Sequence, residues 1–369
     1  MLALSRLATA LLIALAPLLA HAADTAAANT AVLVNEASHK GQSPEISLGP
    51  DGSVHLVWID ENTAPKEHAE HGHSHVAATN LFYARSTDGG KTFSKPQRLN
   101  TMATTDASEL VHGGLTHAHV FGTIVADGKG AVYALWIDTR DMAKASDAGK
   151  VFMAVSRDDG KTFGPDKEIL PADVCPCCQL TAYLDDAGKL YVGSRQVDHK
   201  YRDSTVMVSA DGGRSFSPRR RVVGTRWEIE GCPLKPTSIV ARGKHVVAAY
   251  YTGAENPGGA YVVHSTDGGV NWSTPMLAHP GAVTSDAPVL ALAGDVVHLF
   301  WHAKTTDGVR RVYTRSSRDL GASFGAVSEL PAPPGATQLP AIAGRADGSV
   351  HVAWQQGAEV RAMRWVAAN

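Results

Sequence analysis

One stretch of eight residues, STDGGKTF at positions 86–93, returns four more times along the chain. The near-copies occupy residues 156–163, 209–216, 265–272 and 317–324. A segment that recurs in this way indicates a repeat fold. Each copy follows a run that alternates apolar and polar residues, and each precedes a second short run. This arrangement predicts that the octapeptide is the turn of a β-hairpin.

The residue types of the octapeptide, called the box below, suit a turn. Ser86 and Asp88, at its first and third positions, can accept hydrogen bonds from nearby backbone N–H groups. Gly89 and Gly90 can adopt positive φ, and the terminal aromatic residue is expected to pack under the hairpin. Because this chemistry is that of a turn, we assign the box a structural role.

A longer unit recurs around the box, with an apolar strand, a tight turn and a second strand that ends in an aromatic residue. Six such units are predicted, and they open at Ser43, His119, Cys178, Pro236, Asp286 and Leu339. Six units of four short strands predict an all-β protein, a six-bladed β-propeller with four-stranded antiparallel blades. The sixth unit stops after three strands, so residues 30–38 are predicted to supply the N-terminal strand that closes the last blade.

The repeated pattern S-x-D-x-G-x-x-[FW] resembles the Asp-box, or BNR repeat, of the sialidase-like β-propellers. The resemblance covers residues 30–366 and implies the fold. It also implies that a sialidase would clamp its substrate carboxylate with three arginines. The first of these positions reads SPEIS here and holds no arginine, and the other two hold Lys235 and Asp286. Without the bidentate clamp, sialidase activity is not expected. Residues 227–233, WEIEGCP, and the CPCC run resemble a bacterial exported group of BNR-repeat proteins.

The N-terminus predicts export. Residues 1–22 combine Arg6, an apolar run and the site Ala20-His21-Ala22, which is the pattern of a signal peptide cleaved near Ala22. Residues 23–29 are predicted to be disordered, and residues 30–369 to form a single propeller domain. The mature protein is therefore expected in the periplasm or secreted. No later stretch has the about 20 apolar residues of a membrane span. The net charge of −2 gives no support for nucleic-acid binding.

Binding residues are expected on one face of the propeller. In such blades the loops that enter the innermost strands share a face with the loops between second and third strands, and the boxes lie on the other. The predicted ligand-binding residues are Arg140, Arg195, Trp227, Lys235, Asp286 and His302. Four tryptophans recur at one position of the repeat and are predicted core residues: Trp58, Trp136, Trp301 and Trp354. Trp227 lies outside that pattern and is the better candidate for stacking on a ligand.

All four cysteines of the chain are expected on this same face: Cys175, Cys177, Cys178 and Cys232. One interpretation is a disulfide that pins two loops together in an oxidising compartment, with its connectivity left open. The other is a thiolate metal site or a redox-active pair. Copper is the first choice of metal and zinc the second, since both suit thiolates combined with imidazoles such as those of His117 and His119.

A histidine cluster, HAEHGHSH, lies in the longest loop of the predicted face. Its members are His68, His71, His73 and His75. Such a tract can bind a divalent metal without a preformed geometry and could pass it to the cysteines. The alternative is a solvated loop whose histidines have no specific role.

Three functions are compatible with these residues. The first is binding of a metal or small ligand at the face rich in Cys and His. The second is hydrolysis or elimination on a non-sialic glycan, with Asp138, Glu228, Glu230 and Tyr251 as catalytic candidates. The third is a non-catalytic binding or scaffold propeller with structural disulfides. Motifs of nucleotide-binding proteins, zinc proteases and serine hydrolases do not stand out.

Overall fold

The computed structural model describes residues 34, 40–49, 51–61, 79–101, 110–111, 115–116, 119–139, 148–231, 233–333, 335–356 and 359–365. Every regular element in these ranges is a β-strand, as the alternating apolar pattern predicts. In the same ranges no helix is long and apolar enough to cross a membrane.

The first sheet contains four antiparallel strands in chain order. They are β1 (Lys40–Leu48), β2 (Val54–Glu61), β3 (Thr79–Ser86) and β4 (Gln97–Arg98). Two short strands, β5 (Leu110–Val111) and β6 (Leu115–Thr116), then pair with each other.

The next two groups of four strands are joined. The first group is β7 (His119–Ala126), β8 (Val132–Asp138), β9 (Gly149–Ser156) and β10 (Lys167–Val174). The second is β11 (Thr181–Leu184), β12 (Leu190–Asp198), β13 (Tyr201–Ser209) and β14 (Arg220–Arg221). Val174, the last residue of β10, pairs with Gln196 of β12 and so links the two groups into one eight-stranded sheet.

Three more sheets follow along the chain. One contains β15 (Ser238–Arg242), β16 (His245–Thr252), β17 (Gly259–Ser265) and β18 (Met276–Leu277). Another contains β19 (Thr284–Ala293), β20 (Val296–Lys304), β21 (Arg310–Ser317) and β22 (Ser328–Glu329). The last contains β23 (Thr337–Gly344), β24 (Val350–Gln356) and β25 (Glu359–Trp365). The predicted antiparallel four-stranded units are therefore confirmed. The predicted closing strand, residues 30–38, lies outside the described residues except for Val34.

The innermost strands pack side by side in chain order: β1 on β7, β7 on β11, β11 on β15, β15 on β19, and β19 on β23. Apolar side chains of neighbouring sheets meet between them and form the core. The four repeated tryptophans are core residues, as predicted, because none is more than 4% exposed. Successive sheets thus present the same edge in the same direction.

The box turn has the predicted hydrogen bonds. The Ser86 hydroxyl donates to Asp88 at 2.7 Å and accepts the N–H of Gly90 at 2.8 Å. The Asp88 carboxylate accepts the N–H groups of Lys91 and Thr92 and the Thr92 hydroxyl. The other four boxes repeat the two serine bonds and the bond from the backbone N–H four residues after the aspartate, whereas the Lys91 bond recurs only at Val270. Each box is therefore a self-contained turn.

The box aromatic residue also reaches the preceding sheet. Phe163, from the box that follows β9, packs edge-on against Tyr83 of β3 with ring centroids 4.8 Å apart. In the same box Gly160 has φ of 77°, and a Cβ there would overlap the Tyr83 hydroxyl. The box thus joins two sheets as well as closing its own hairpin.

Candidate functional site

Each sheet has two edges of different character. The upper edge is defined here as the edge where innermost strands begin and second strands end; the opposite box edge carries the box turns. Strand register places His119 opposite Asp138, Asp286 opposite His302, and Gln338 opposite Gln355 at the upper edge. Residues far apart in sequence therefore line the same edge of neighbouring sheets.

A β-bulge recurs where the innermost strands begin. The register shifts fall between Gln42 and Glu45, Val120 and Thr123, Asp286 and Val289, and Gln338 and Ala341. Proline fits a bulge because it has no N–H to contribute to the ladder, which explains the prolines at 44, 288 and 340. Non-glycine residues adopt positive φ in three bulges: Ser43 at 50°, Phe121 at 50° and Ala287 at 48°. Bulges and strained backbone of this kind are frequent beside functional sites.

The cysteine turn crosses the upper edge between β10 and β11. The Cys175 N–H donates to the Arg195 carbonyl at 2.8 Å, and the Cys178 N–H donates to the Cys175 carbonyl at 3.3 Å. This turn brings the Cys175 and Cys178 thiols into hydrogen-bond contact. Both thiols are free, and the two residues are 1% and 0% exposed. Cys177, between them, is disulfide-bonded.

Arg195 of β12 lies beneath this turn and is 2% exposed. Its guanidinium donates to the backbone carbonyls of Lys235 at 3.0 Å, Arg202 at 2.6 Å and Tyr251 at 3.0 Å. It also contacts the Cys178 sulfur. Burial lowers the pKa of Arg195, and the nearby cysteines oppose that shift. Arg195 is thus placed to support the site from below, since its donors are directed at protein atoms.

The two thiols differ in acidity because of their mutual hydrogen bond. The contact with Cys178 lowers the pKa of Cys175 to about 7. The same contact, followed by burial, raises the pKa of Cys178. A proton shared between the two sulfurs is therefore held mainly by Cys178.

A second group of side chains, the Lys235 cluster, comes from the loop between β14 and β15 and from β16, β19 and β20. Its members are Trp227, Lys235, Tyr251, Asp286 and His302. Lys235 forms an ion pair with Asp286, and both side chains are partly exposed. The Lys235 ammonium lies over the Tyr251 ring, 4.9 Å from its centroid. Trp227 packs against Tyr251 at 5.2 Å between ring centroids. A cation and two aromatic rings thus share one small surface.

Two residues of the cluster have shifted pKa values. Burial lowers the pKa of His302 to about 4, with Arg310 and Lys235 acting in the same direction and Asp286 opposing them. Burial, followed by the Asp286 carboxylate, raises the pKa of Tyr251. At neutral pH the site therefore offers a neutral imidazole and a protonated phenol.

Two hydrogen bonds link other sheets across the upper edge. Gln179 donates to Glu45 of β1, and Arg310 of β21 donates to Gln338 of β23. Burial raises the pKa of Glu45, and the bond from Gln179 opposes the shift. Sequence reasoning did not select Glu45, Gln179 or Arg310. The available signals were the position of Glu45 directly after the Ser-Pro bulge and that of Arg310 at the start of a third strand.

The remaining predicted residues fall in different places. Asp138 is 0% exposed, whereas Glu228 and Glu230 are exposed, and Glu228 pairs with Lys200 at 2.6 Å. Several predicted residues lie outside the described residues: Arg140, His68, His71, His73, His75, His117, Cys232 and the side chain of His119. Among the residues that the structure describes, no group of three or more His, Cys, Asp or Glu side chains could hold a metal. The metal site stays a prediction.

The spacing of the cysteines is a further signal in the sequence. Cys175 and Cys178 are separated by two residues, and this pair, rather than Cys177 with Cys178, is the one that meets. A C-x₂-C spacing is a recognised signal for paired thiols.

Comparison with known proteins supports the fold. The BNR repeat-like domain family matches residues 189–353. No curated protein matches the chain. The intramolecular trans-sialidase of Ruminococcus gnavus is similar in structure, with a TM-score of 0.58 at 13% identity over 86% of this chain and 90% of that one.

Two further solved structures resemble this chain. A Hadza microbial sialidase has a TM-score of 0.57 at 14% identity. The match covers 88% of this chain but only 65% of the length of that sialidase. An ulvan lyase from a polysaccharide lyase family has a TM-score of 0.55 at 12% identity, with 90% and 83% of the two chains covered. The same kind of lyase has also been solved with bound -[GlcA(1-4)Rha3S]-. The described strands, the five boxes and these similarities agree, and the chain has a sialidase-like fold built on BNR repeats.

Proposed function

We propose that the protein binds an acidic carbohydrate at the Lys235 cluster of the upper edge. The observation that carries this proposal is the position of the Lys235 ammonium, 4.9 Å from the centroid of the Tyr251 ring. Trp227 packs against the same Tyr251 ring. Aromatic faces suit the apolar face of a sugar ring, and an ammonium suits a carboxylate. Together they form a surface for a sugar acid.

The charges of the cluster leave room for such a ligand. The side chains of Lys235 and Asp286 are 24% and 22% exposed, so a ligand carboxylate can reach the ammonium from solvent. Arg310, which donates a hydrogen bond to Gln338 on the next sheet, supplies a second cation near the His302 imidazole. A ligand anion would therefore meet two positive groups opposed by one carboxylate.

The structural neighbours support the same ligand class. The similar proteins include sialidases and a lyase bound to a glucuronate-containing saccharide. Sialic acid and glucuronate are both sugar acids. This chain lacks the arginines expected of a sialidase, so we favour a non-sialic sugar acid as its ligand.

The binding test compares glucuronate-containing oligosaccharides with neutral oligosaccharides of equal length by isothermal titration calorimetry. The acidic series should bind more tightly, and Lys235→Met should weaken that binding about 10-fold or more. Lys200→Met is the matched control, because it removes the same charge from an exposed neighbouring turn where Lys200 pairs with Glu228. Equal binding of both series, or equal losses in both variants, would contradict the proposal.

The neutral His302 and protonated Tyr251 favour a second candidate, β-elimination on the bound sugar acid. His302 would take the proton from the carbon beside the carboxylate, whose negative charge Lys235 stabilises. A carbon–carbon double bond then forms as the bond to the glycosidic oxygen breaks, and Tyr251 donates its proton to that oxygen. These are the protonation states that burial favours at neutral pH.

The ultraviolet absorbance of an unsaturated sugar product tests this reaction. Tyr251→Phe and His302→Gln should each lower kcat by about 100-fold or more. New reducing ends without that absorbance would instead indicate hydrolysis. In that case Glu230→Gln and Glu228→Gln would identify the carboxylate required.

Other sequence predictions remain proposals with their own tests. Six blades, closed by residues 30–38, and export after cleavage near Ala22 can be checked by an experimental structure and by N-terminal sequencing of the mature protein. Copper or zinc bound by the cysteines and histidines can be checked by metal analysis of protein purified from the periplasm. Protein free of bound metal, with no glycan binding, would favour the scaffold function.

A further inference from the structure

Cys175 and Cys178 form a buried pair that the proposed glycan site does not use. Both lie in one tight turn, in which the Cys178 N–H donates to the Cys175 carbonyl at 3.3 Å; both thiols are free, and they are 1% and 0% exposed. The turn that holds them is fixed at both ends by backbone hydrogen bonds, from Cys175 to Arg195 and from Cys178 to Cys175. Two sulfurs held this close need little movement to form a bond.

The surroundings of the pair favour negative charge on sulfur. The Arg195 guanidinium beneath the turn places positive charge close to both sulfurs, and Arg202 adds to it at Cys175. Because Arg195 is fixed by three carbonyls, this positive charge cannot move away. A fixed guanidinium stabilises a thiolate but repels a metal cation, so the arrangement suits sulfur redox chemistry better than metal binding.

We propose that Cys175 and Cys178 are an oxidisable dithiol, which a peroxide converts into a disulfide. The Cys175 thiolate attacks one oxygen of hydrogen peroxide, the O–O bond breaks, and a sulfenic acid forms as hydroxide leaves and takes a proton to become water. The Cys178 sulfur then attacks the Cys175 sulfur, its thiol proton leaves with the sulfenic hydroxyl as a second water, and the S–S bond forms. The protein is oxidised by two electrons and the peroxide is reduced to two waters.

The surrounding charges assign different roles to the two sulfurs. Cys175 is the attacking group because Arg195 and Arg202 both place positive charge beside it, whereas Arg195 alone does so at Cys178, and a lowered pKa at Cys175 agrees with this. Cys178 resolves the sulfenic acid because it is already in contact. Cys177 is disulfide-bonded and takes no part. Hydrogen peroxide is small enough to reach buried thiols, whereas a large disulfide reagent is not.

The test uses the full mature chain. Hydrogen peroxide is added, remaining thiols are alkylated in denaturant, and the peptides containing residues 175–178 are analysed by mass spectrometry. The expected product has lost two hydrogens and carries a Cys175–Cys178 bond, and dithiothreitol restores both thiols. Unreactive thiols, or a bond formed only with another cysteine, would overturn the proposal.

Two single variants separate the roles. In Cys178→Ser, Cys175 should still react and be trapped by dimedone as a sulfenic acid, with no Cys175–Cys178 bond. In Cys175→Ser, Cys178 should react with peroxide at least about 10-fold more slowly than Cys175 does in Cys178→Ser. If a serine variant does not fold, the corresponding alanine variant replaces it. Equal reactivity of both variants, or protein that carries stoichiometric copper or zinc and resists peroxide, would overturn the assignment. These readouts count thiols and do not depend on glycan binding.

Discussion

The two edges of the sheets are built in opposite ways. At the box edge every defining hydrogen bond joins residues at most four positions apart, and the same network appears five times. At the upper edge, contacts join residues 134 positions apart in the Glu45–Gln179 bond and 51 apart in the Lys235–Asp286 pair. The box turns are thus specified locally and repeat, although contacts such as that of Arg85 with Asp159 also join neighbouring sheets there, while the upper edge is specified by the fold and does not repeat.

Backbone strain follows the same division. At the box edge positive φ falls mostly on glycine, as at Gly89, Gly212 and Gly268. Most of the non-glycine residues with positive φ that the structure describes belong to the upper edge: Ser43, Phe121, His199, Arg226, Leu234 and Ala287. Two non-glycine residues of the boxes, Asp159 and Leu320, also have positive φ, but the concentration of such residues at the upper edge indicates that this edge serves something besides folding.

The largest expected effect is at Arg195. Arg195→Met removes the donor for three backbone carbonyls and leaves them buried, so the free energy of unfolding should fall by about 3 kcal/mol or more. Arg214→Met is the control, since the exposed Arg214 donates only to the Asp211 carbonyl of its own box. Urea unfolding of both variants measures the difference. Equal stability would show that Arg195 does not support the upper edge.

The next effect is a loss of stability in mild acid, which arises at both ends of β20. Burial lowers the pKa of His298, near the box edge, and of His302 to about 4 each, with Arg318 assisting at His298. The unfolded histidines have a pKa near 6.5 and so bind protons first as the pH falls. Stability from each should be complete above about pH 6.5 and fall by about 3 kcal/mol as the pH approaches 4.

Variants of these two histidines separate the edges. His298→Gln and His302→Gln should each flatten the dependence of unfolding free energy on pH between about 6.5 and 4. Only His302→Gln should also change glycan turnover, because His298 binds the Ser316 hydroxyl at 2.8 Å, away from the Lys235 cluster. An unchanged pH profile in both variants would contradict the buried, neutral state of these imidazoles.

The same division decides what the sequence could predict. The box turns, the strand pattern and the buried tryptophans followed from residues close together, because local hydrogen bonds and alternation determine them. The C-x₂-C spacing could have predicted that Cys175 and Cys178 lie together. It could not have predicted that Arg195 lies beneath them. Arg195 was predicted as a ligand-binding residue, and its burial beneath the cysteine turn depends on the packing of β12 under that turn. The bond from Gln179 to Glu45 likewise depends on packing between sheets.

A smaller effect is expected from removing one box hydroxyl. Ser209 is 0% exposed; its hydroxyl donates to Asp211 and accepts the Gly213 N–H, each at 2.8 Å. Ser209→Ala leaves that N–H buried without its acceptor, which should lower the free energy of unfolding by about 1–2 kcal/mol. Ser265→Ala should have a similar effect, because its box has the same bonds. Glycan binding should not change in either variant, and a loss of binding would contradict the separation of the two edges.

The smallest effects are expected from one substitution at each edge: glycine to alanine at the box edge and alanine to glycine at the upper edge. Gly268 has φ of 83° with no atom within 4 Å of a new Cβ, so Gly268→Ala should cost about 1 kcal/mol of stability from backbone conformation alone. Ala287 has φ of 48° in the bulge that carries Asp286, so Ala287→Gly should stabilise the fold by a similar amount, about 1 kcal/mol. If the strain at Ala287 positions Asp286 beside Lys235, the more stable variant should bind the acidic glycan more weakly, as measured by calorimetry. A gain in stability with unchanged binding would show that this strain has no part in the site.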